Sequence, residues 1–462
     1  MKPLHMSFLA DVTGGKLKGD DALFQSVSTD TRGLRPGELF VALRGPNFDG
    51  NAYVEEAARK GAAGALVQKF MPLDLPQVIV TDTRVALGRL ARAWRQRFDI
   101  PLIAVTGSNG KTTIKEMIAS ILRQRGPVLA TRGNLNNDIG VPLTLFGIDE
   151  GSRAAVVEMG ANHAGEIDYL ATLALPTVGV VSNAGPAHLE GFGSVAGVAR
   201  AKGELFTALG PAGVAVLNAD DEFADMWRGL IGRRQVVSVG IDADADFFAK
   251  DIELQGGDGG VATRFRLESR AGQAEITIPF AGVHNVRNAL AAAAAAWSAG
   301  ATLDDIRQGL AATQTVAGRL QLRVAATGAT IIDDTYNANP DSLRAALDVQ
   351  RDLGGEAWLV LGDMGELGAG ATGQHAAAGK LARASGVKRL LATGELSAEA
   401  VKSFGQGATW YPRAAELIDA LRGEVGEGIT VLVKASRSMQ LEQVVDALVA
   451  NANGAQRQAN GG

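Results

Sequence analysis

Thr106-Gly107-Ser108-Asn109-Gly110-Lys111-Thr112-Thr113 follows the apolar run Leu102-Ile103-Ala104-Val105. It leads into a segment with Ile114, Met117, Ile118, Ile121 and Leu122 at helical spacing. Strand, glycine turn, lysine and helix in that order make a cradle for nucleotide phosphates. Backbone N–H groups of the turn and the positive end of the helix point at the phosphates. Lys111 can reach the β/γ-phosphates, and Thr112 can offer a hydroxyl to Mg²⁺. The full G-x-x-x-x-G-K-[ST] pattern would need a glycine where Val105 stands, so the loop is shortened to Gly-x-x-Gly-Lys-Thr.

Around this stretch, residues 85–313 alternate strand and helix. Strands expected at Leu102–Val105, Ala154–Val157, Val178–Ser182 and Val214–Leu217 imply a parallel sheet with right-handed crossovers. From Asp246 to Pro279 the pattern changes to alternating strands, an antiparallel extension with a glycine-rich turn at 256–260. Residues 1–84 hold short strands at Leu39–Leu43, Ala65–Gln68 and Val78–Thr81, a helix near Ala52–Lys60, and a turn-rich stretch from Arg44 to Gly50. Residues 314–456 restart the alternation at Thr330–Asp333, Trp358–Leu361, Arg389–Ala392 and Thr430–Lys434, with no G-x-G-x-x-G after the first of these strands. The expected fold is α/β in three domains. These are a small mixed N-terminal domain, a central phosphate-loop domain on a parallel sheet, and a C-terminal domain of Rossmann-like rhythm.

A chain of 462 residues is too long for one core, and 46% hydrophobic with 21% charged residues fits a folded protein. The net charge of −5 leaves no basic footprint for nucleic acid. No cysteine is present, which excludes disulfides, thiol nucleophiles and Cys–metal sites. The N-terminus lacks an apolar signal segment, and the longest apolar run, Ala289–Trp297, falls well short of the roughly 20 residues of a membrane span. A cytoplasmic protein without membrane contact is expected, with a polar tail, Asn451–Gly462, that reads as frayed.

In open α/β sheets ligands collect at the carboxyl ends of strands. The strand after the phosphate loop ends at Glu158, a carboxylate placed either to hold Mg²⁺ or to cap the following turn. The next ends in a loop carrying His188, either a second metal or phosphate contact or an ordinary loop residue. Lys202 lies on the apolar stripe Val195, Val198, Ala199, Leu205 and Phe206. A lysine there is paired, put to use, or snorkels outward. The run Thr131–Pro142, with Asn134 and Asn137, is dense in glycine and amides. Asn285 and Asn288 share a face at the start of an alanine-rich helix, as a base-reading or capping pair would. Arg319 follows the join to the third block, where domain closure could bring it to a phosphate; otherwise it is a surface arginine.

The ordered set of motifs resembles the Mur ligases, ATP-dependent amide-forming enzymes that build the peptide of the cell-wall precursor. The resemblance runs through Asp30-Thr31-Arg32, the phosphate loop, Gly133–Pro142, Glu158-Met159-Gly160, Asn183–Gly193, Lys202-Gly203-Glu204 and His284-Asn285. It continues through Gly318-Arg319-Leu320, Asp333–Pro340, Leu361–Gly368 and Lys434–Arg437. It implies that Gly107, Ser108, Asn109, Gly110, Lys111, Thr112 and Thr113 serve ATP. Thr112, Glu158 and His188 are implied to hold Mg²⁺, and Lys202 to be the lysine that reacts with CO₂ to form a carbamate. Asn285, Arg319, Asp334 and Tyr336 are implied to contact the nucleotide, and Asp30, Arg32, Asp49, Gly50, Asn134 and Asn137 the UDP-sugar substrate.

The diamino-acid-adding ligases carry Asp-Asn-Pro-Arg after a third-domain strand. That string is absent, the region reading Ala392-Thr393-Gly394-Glu395-Leu396, which favours the member that joins D-alanyl-D-alanine to a UDP-N-acetylmuramoyl-tripeptide. The resemblance further implies a monomer acting on small molecules. The rivals are the diamino-acid-adding ligase, folylpolyglutamate synthetase and, more distantly, a switch or motor ATPase stimulated by a protein partner.

Overall fold

The structure, a computed structural model, describes residues 2–257 and 260–449. The 451–462 tail and the tip of the 256–260 turn lie outside the described residues.

Three main sheets follow one another along the chain. The first has five short strands in the order Lys16–Lys18, Gln77–Ile79, Gly64–Val67, Leu39–Val41 and Val27–Ser28, parallel except for Lys16–Lys18 at its edge. The turn-rich stretch after Leu43 is itself a small hairpin, Arg44–Gly45 against Phe48–Asp49, which no hydrophobic alternation in its sequence announces. The helix expected near Ala52–Lys60 is a 3₁₀ turn, Gly50–Tyr53, running into the helix Val54–Arg59.

The central sheet has nine strands. Seven are parallel, in the order Val128–Ala130, Ala154–Glu158, Leu102–Thr106, Val178–Val181, Val214–Asn218, Gln235–Gly240 and Phe247–Gly257. Gly260–Ser269 and Gly272–Ile278 continue it as the expected antiparallel meander. From Leu102–Thr106 the chain goes two places to one side, returns, and then passes to the other side. That reversal of strand order opens a crevice at the carboxyl end of Leu102–Thr106, where the phosphate loop begins. Val128–Ala130 and Gln235–Gly240 were not legible from sequence, the first being only three half-buried residues.

One face of this sheet is covered by the helices Lys111–Arg123, Val283–Ser298 and Leu303–Ala311. In Val283–Ser298 the alanines from Ala289 to Ala296 are buried, and side chains that small let the helix lie close to the sheet. No helix among the described residues is long and apolar enough to cross a membrane. On the other face, the helix Thr83–Arg95, capped by the Asp82 carboxylate, packs with Gly140–Leu145 and Glu166–Ala174. Its Trp94 belongs to an apolar core running from Met6, Leu9 and Phe24 through to Leu145 and Leu170.

The third sheet has six strands in the order Gln321–Val324, Thr330–Asp334, Ile429–Lys434, Glu356–Leu361, Arg389–Thr393 and Ala408–Tyr411. All are parallel except the antiparallel edge strand Gln321–Val324, which joins the four expected strands together with Ala408–Tyr411.

Candidate active site

The phosphate loop is shaped by its neighbours. Gly107 has φ 146° and Gly110, the residue capping the helix Lys111–Arg123, has φ 82°. A Cβ at Gly107 would run into Ser182 Oγ, and one at Gly110 into Asn288 Oδ1, so both positions need glycine for shape and for space. The loop is stitched to the end of the next strand. Asn109 N–H donates to Asn183 Oδ1 at 2.9 Å, Ser182 Oγ donates to Asn109 O at 2.6 Å, and Gly185 N–H donates to Ser108 Oγ at 2.9 Å. Lys111 curls back over the loop it follows, with Nζ 2.7 Å from Gly107 O and 3.2 Å from Ser108 O. Burial pushes its ammonium below the ordinary lysine range, with Glu158 pulling the other way.

Glu158 is 3% exposed and held on both oxygens. Thr112 Oγ donates to Oε2 at 2.9 Å and Asn136 Nδ2 to Oε1 at 2.8 Å. Thr131 Oγ accepts the Glu158 N–H at 3.0 Å, and Lys115, itself buried, donates to Thr131 O at 2.7 Å. The carboxylate is thus aimed into the cleft beside the helix N-terminus and does not cap the turn after it. Thr112 and Glu158 offer hard oxygens, the donor type Mg²⁺ prefers, in a cleft with room for the waters it retains. Among the described residues no group of three or more His, Asp and Glu stands ready to hold a metal ion. The residues therefore fit a Mg²⁺ shared with a bound phosphate and water better than a closed protein cage.

Lys202 is 1% exposed on the helix Val195–Ala208, whose first turn is capped by Ser194 Oγ. Its Nζ lies 5.4 Å from the Phe192 ring and, among the described residues, makes no hydrogen bond or ion pair. Burial first, then the charge of Lys111, lowers it to about 7. The snorkelling alternative is excluded by that burial. His188 meets Glu366 of the third domain, Nδ1 to Oε2 at 2.6 Å.

The third domain closes the other wall of a cleft of about 1040 Å³. Asn339 Nδ2 donates to Asn109 Oδ1 at 2.8 Å across the gap. Arg319 lies over the Tyr336 ring at 4.2 Å, its buried Nε without a partner among the described residues. Asp334 pairs with the buried Lys434 and accepts from Leu320 N–H at 3.2 Å. Asn285 does not cap its helix, since Gly282 occupies that place. Asn285 Nδ2 donates to Ala281 O at 2.8 Å and Oδ1 accepts from Asn288 at 3.0 Å, which orders both amides on the cleft wall. Burial lowers neighbouring His284 to about 4.

Most of the residues singled out from sequence therefore line this cleft: Ser108 to Lys111, Thr113, Asn137, Glu158, His188, Asn285, Arg319, Asp334 and Tyr336. Gly107 opens the strand-to-helix turn and Thr112 lies in the first turn of the helix, neither of them on the cleft lining. Asp30, Arg32, Asp49, Gly50, Asn134 and Lys202 do not line it. Asp30 and Arg32 pair with each other at 2.6 Å on the surface, and Asp49 caps the turn at Asn51. Sequence reasoning missed Asn136, Asn183, Glu366, Asn339 and Lys434 as individuals, although each lies in a quoted motif. A buried partner for Glu158 was the signal that could have found Asn136.

A phosphate loop at a switch point, an aimed carboxylate and a second α/β domain folded over both define a nucleotide-dependent enzyme of the closing-domain type. The chain belongs to the Mur ligase family. Models of that family match three stretches in order, described as Mur ligase family, catalytic domain (23–95), Mur ligase middle domain (105–296) and Mur ligase, glutamate ligase domain (318–437). The UDP-N-acetylmuramoyl-tripeptide–D-alanyl-D-alanine ligase of Escherichia coli K12 is 44% identical over 98% of this chain and 99% of its own. A crystal structure of MurF from Acinetobacter baumannii superposes with a TM-score of 0.92 at 36% identity, covering 97% and 99% of the two chains. The MurF ligase of Thermotoga maritima in complex with ADP superposes at 0.81 with 27% identity over 92% of this chain and 96% of its own.

Proposed function

We propose that the chain joins D-alanyl-D-alanine to a UDP-N-acetylmuramoyl-tripeptide with cleavage of ATP to ADP and phosphate, in cytoplasmic synthesis of the peptidoglycan precursor. The end-to-end likeness to the E. coli ligase carries this reading. Residues 1–84 would hold the UDP-sugar end, 85–313 ATP, and 314–456 would close on ATP and bind the dipeptide. Asp30, Arg32, Asp49 and Gly50 sit on the first of these, outside the nucleotide cleft, where a long substrate would extend.

The γ-phosphoryl passes to the tripeptide carboxylate. One P–O bond to ADP breaks and one to the carboxylate forms, giving an acyl phosphate. The dipeptide amine attacks the carbonyl carbon, loses a proton and expels phosphate. Such steps depend on positioning and on neutralising charge. Lys111 would exchange the carbonyls of Gly107 and Ser108 for phosphate oxygens, and the free Nε of Arg319 supplies a donor from the other wall. Thr112, Glu158 and His188 would hold Mg²⁺, which supplies charge neutralisation on the transferring phosphoryl. Asn285 would contact the nucleotide, held by Asn288, which itself lies against Gly110 of the phosphate loop. Closure of the third domain keeps water from the acyl phosphate.

Lys202 fits carbamylation: a buried amine lowered to about 7 has a large unprotonated fraction at neutral pH, which adds to CO₂, forming an N–C bond, releasing a proton and leaving a carboxylate near Lys111. Hydroxylamine added to enzyme, ATP and UDP-muramoyl-tripeptide should yield the tripeptide hydroxamate. ADP release independent of the tripeptide would refute the scheme. Amine acceptors compared in one assay should rank D-alanyl-D-alanine above free diamino acids.

A further inference from the structure

The loop 362–368 reaches the middle domain at two points, Gly368 beside the Glu190 backbone and the Glu366 side chain, which alone makes a bond there among the described residues. Glu366 Oε2 lies 2.6 Å from His188 Nδ1. Both residues hold left-handed backbone, φ 52° at His188 and 62° at Glu366. Six non-glycine residues among those described do so, and two of the six face each other across the domain gap. Backbone held in that region costs energy and collects at sites where a side chain must be aimed.

The rest of the loop is anchored to the third domain. His375 is fully buried, with Nδ1 2.7 Å from Ala371 O, so Nδ1 carries the proton and Nε2 accepts the Met364 N–H at 2.9 Å. The Gly365 N–H donates to Ser436 Oγ at 2.6 Å, and the Leu367 side chain is buried. Met364, Gly365 and Leu367 are thus pinned inward, and the Glu366 carboxylate projects at His188.

A carboxylate only accepts, so in the neutral ring this contact places the proton on Nδ1 and leaves the lone pair on Nε2. The middle domain offers His188 no such acceptor among the described residues. We propose that Glu366 is a positioning residue that sets the orientation and tautomer of His188 when the third domain closes, so that Nε2 faces the cleft as a ligand only in the closed enzyme. What Nε2 then serves rests on the ligase reading; the clasp itself does not. Closure and competence are thereby one event.

The full-length chain labelled with ¹⁵N-histidine tests this without substrate, because it holds only five histidines. Long-range ¹H–¹⁵N correlation should show His188, assigned by its loss in His188→Gln, as the Nδ1–H form. In Glu366→Ala it should shift toward the Nε2–H form. In turnover, Glu366→Ala should lower kcat about 10- to 100-fold, the usual cost of losing a partner behind a ligand, with KM for ATP nearly unchanged. Glu366→Gln, whose amide oxygen still accepts, should recover most of the rate. Glu366→Asn, which suits left-handed backbone but is too short to reach, should behave as Ala does while melting like the wild type. An unchanged His188 tautomer in Glu366→Ala, or wild-type kcat there, would overturn the proposal. Failure of the ligase reading would appear separately, as absence of amide formation by the wild-type enzyme.

Discussion

The two junctions of this molecule are built from opposite materials. Between the first and middle domains lies a continuous apolar core, with Trp94 at 2% exposure, its Nε1 donating to Ile148 O at 3.1 Å. Beside it the Arg95 guanidinium bonds the carbonyls of Ala174, Phe98 and Ile100. Between the middle and third domains the side-chain bonds are polar, Asn109 with Asn339 and His188 with Glu366, and the apolar contribution is local, with Val349 packed beside Gly282. The apolar clusters of the third domain hold only residues from Leu320 onward. Burying apolar area welds a joint, because separating it returns that surface to water. A polar contact is exchanged for water at small net cost, so it marks a position without locking it. The first domain is thereby fixed to the domain that carries the phosphate loop, whereas the junction with the third domain is the one that the proposed closure would use.

The sharpest way to break this contrast is at the weld. Trp94→Ala should cost about 3–5 kcal/mol of stability in denaturant unfolding. A loss below about 1 kcal/mol would mean the core across that junction is not the joint. Next comes the fixed chemistry beside it. Glu158→Gln removes one aimed charge and should lower kcat by about 10²–10³-fold with melting little altered. Full activity in that variant would return Glu158 to a turn residue.

Lys202 should show its burial as a pH effect. With the amine lowered to about 7 in the fold against an ordinary value of 10.5, the native chain binds fewer protons than the unfolded one between those values. Stability on this account rises with pH through that window and is lowest below about 7. Lys202→Met should flatten that slope and raise the melting temperature at neutral pH, while abolishing most turnover. A slope unchanged by the substitution would show the lysine charged and solvated. The smallest effect belongs to the polar junction: Asn109→Ala should change stability by less than about 0.5 kcal/mol. It should still shift the free enzyme toward open forms in X-ray scattering, and an unmoved scattering profile would show closure held by other contacts.

Local pattern carried the sequence reading far where one residue decides one interaction. The phosphate loop, the parallel rhythm of the middle sheet, the antiparallel extension and the stripe that placed Lys202 were all legible, since periods of 3.6 and 2 are written directly in side-chain order. The hairpin Arg44–Asp49 and the edge strand Gln321–Val324 were not, because partners supply the bonds that define them. The same limit hid Asn136, whose meaning is a bond to Glu158, and Glu366, whose meaning is His188.

What the order of residues determined was the phosphate cradle, the three-block architecture and the family. What only the folded chain decided was which side chains from distant blocks meet. Lys111 lies curled on its own loop, Glu158 is gripped from two sides, and the third domain meets the middle one through bonds such as Asn339 to Asn109. Spacing along a strand or helix is set by local geometry, whereas a contact between domains depends on where each whole sheet comes to rest.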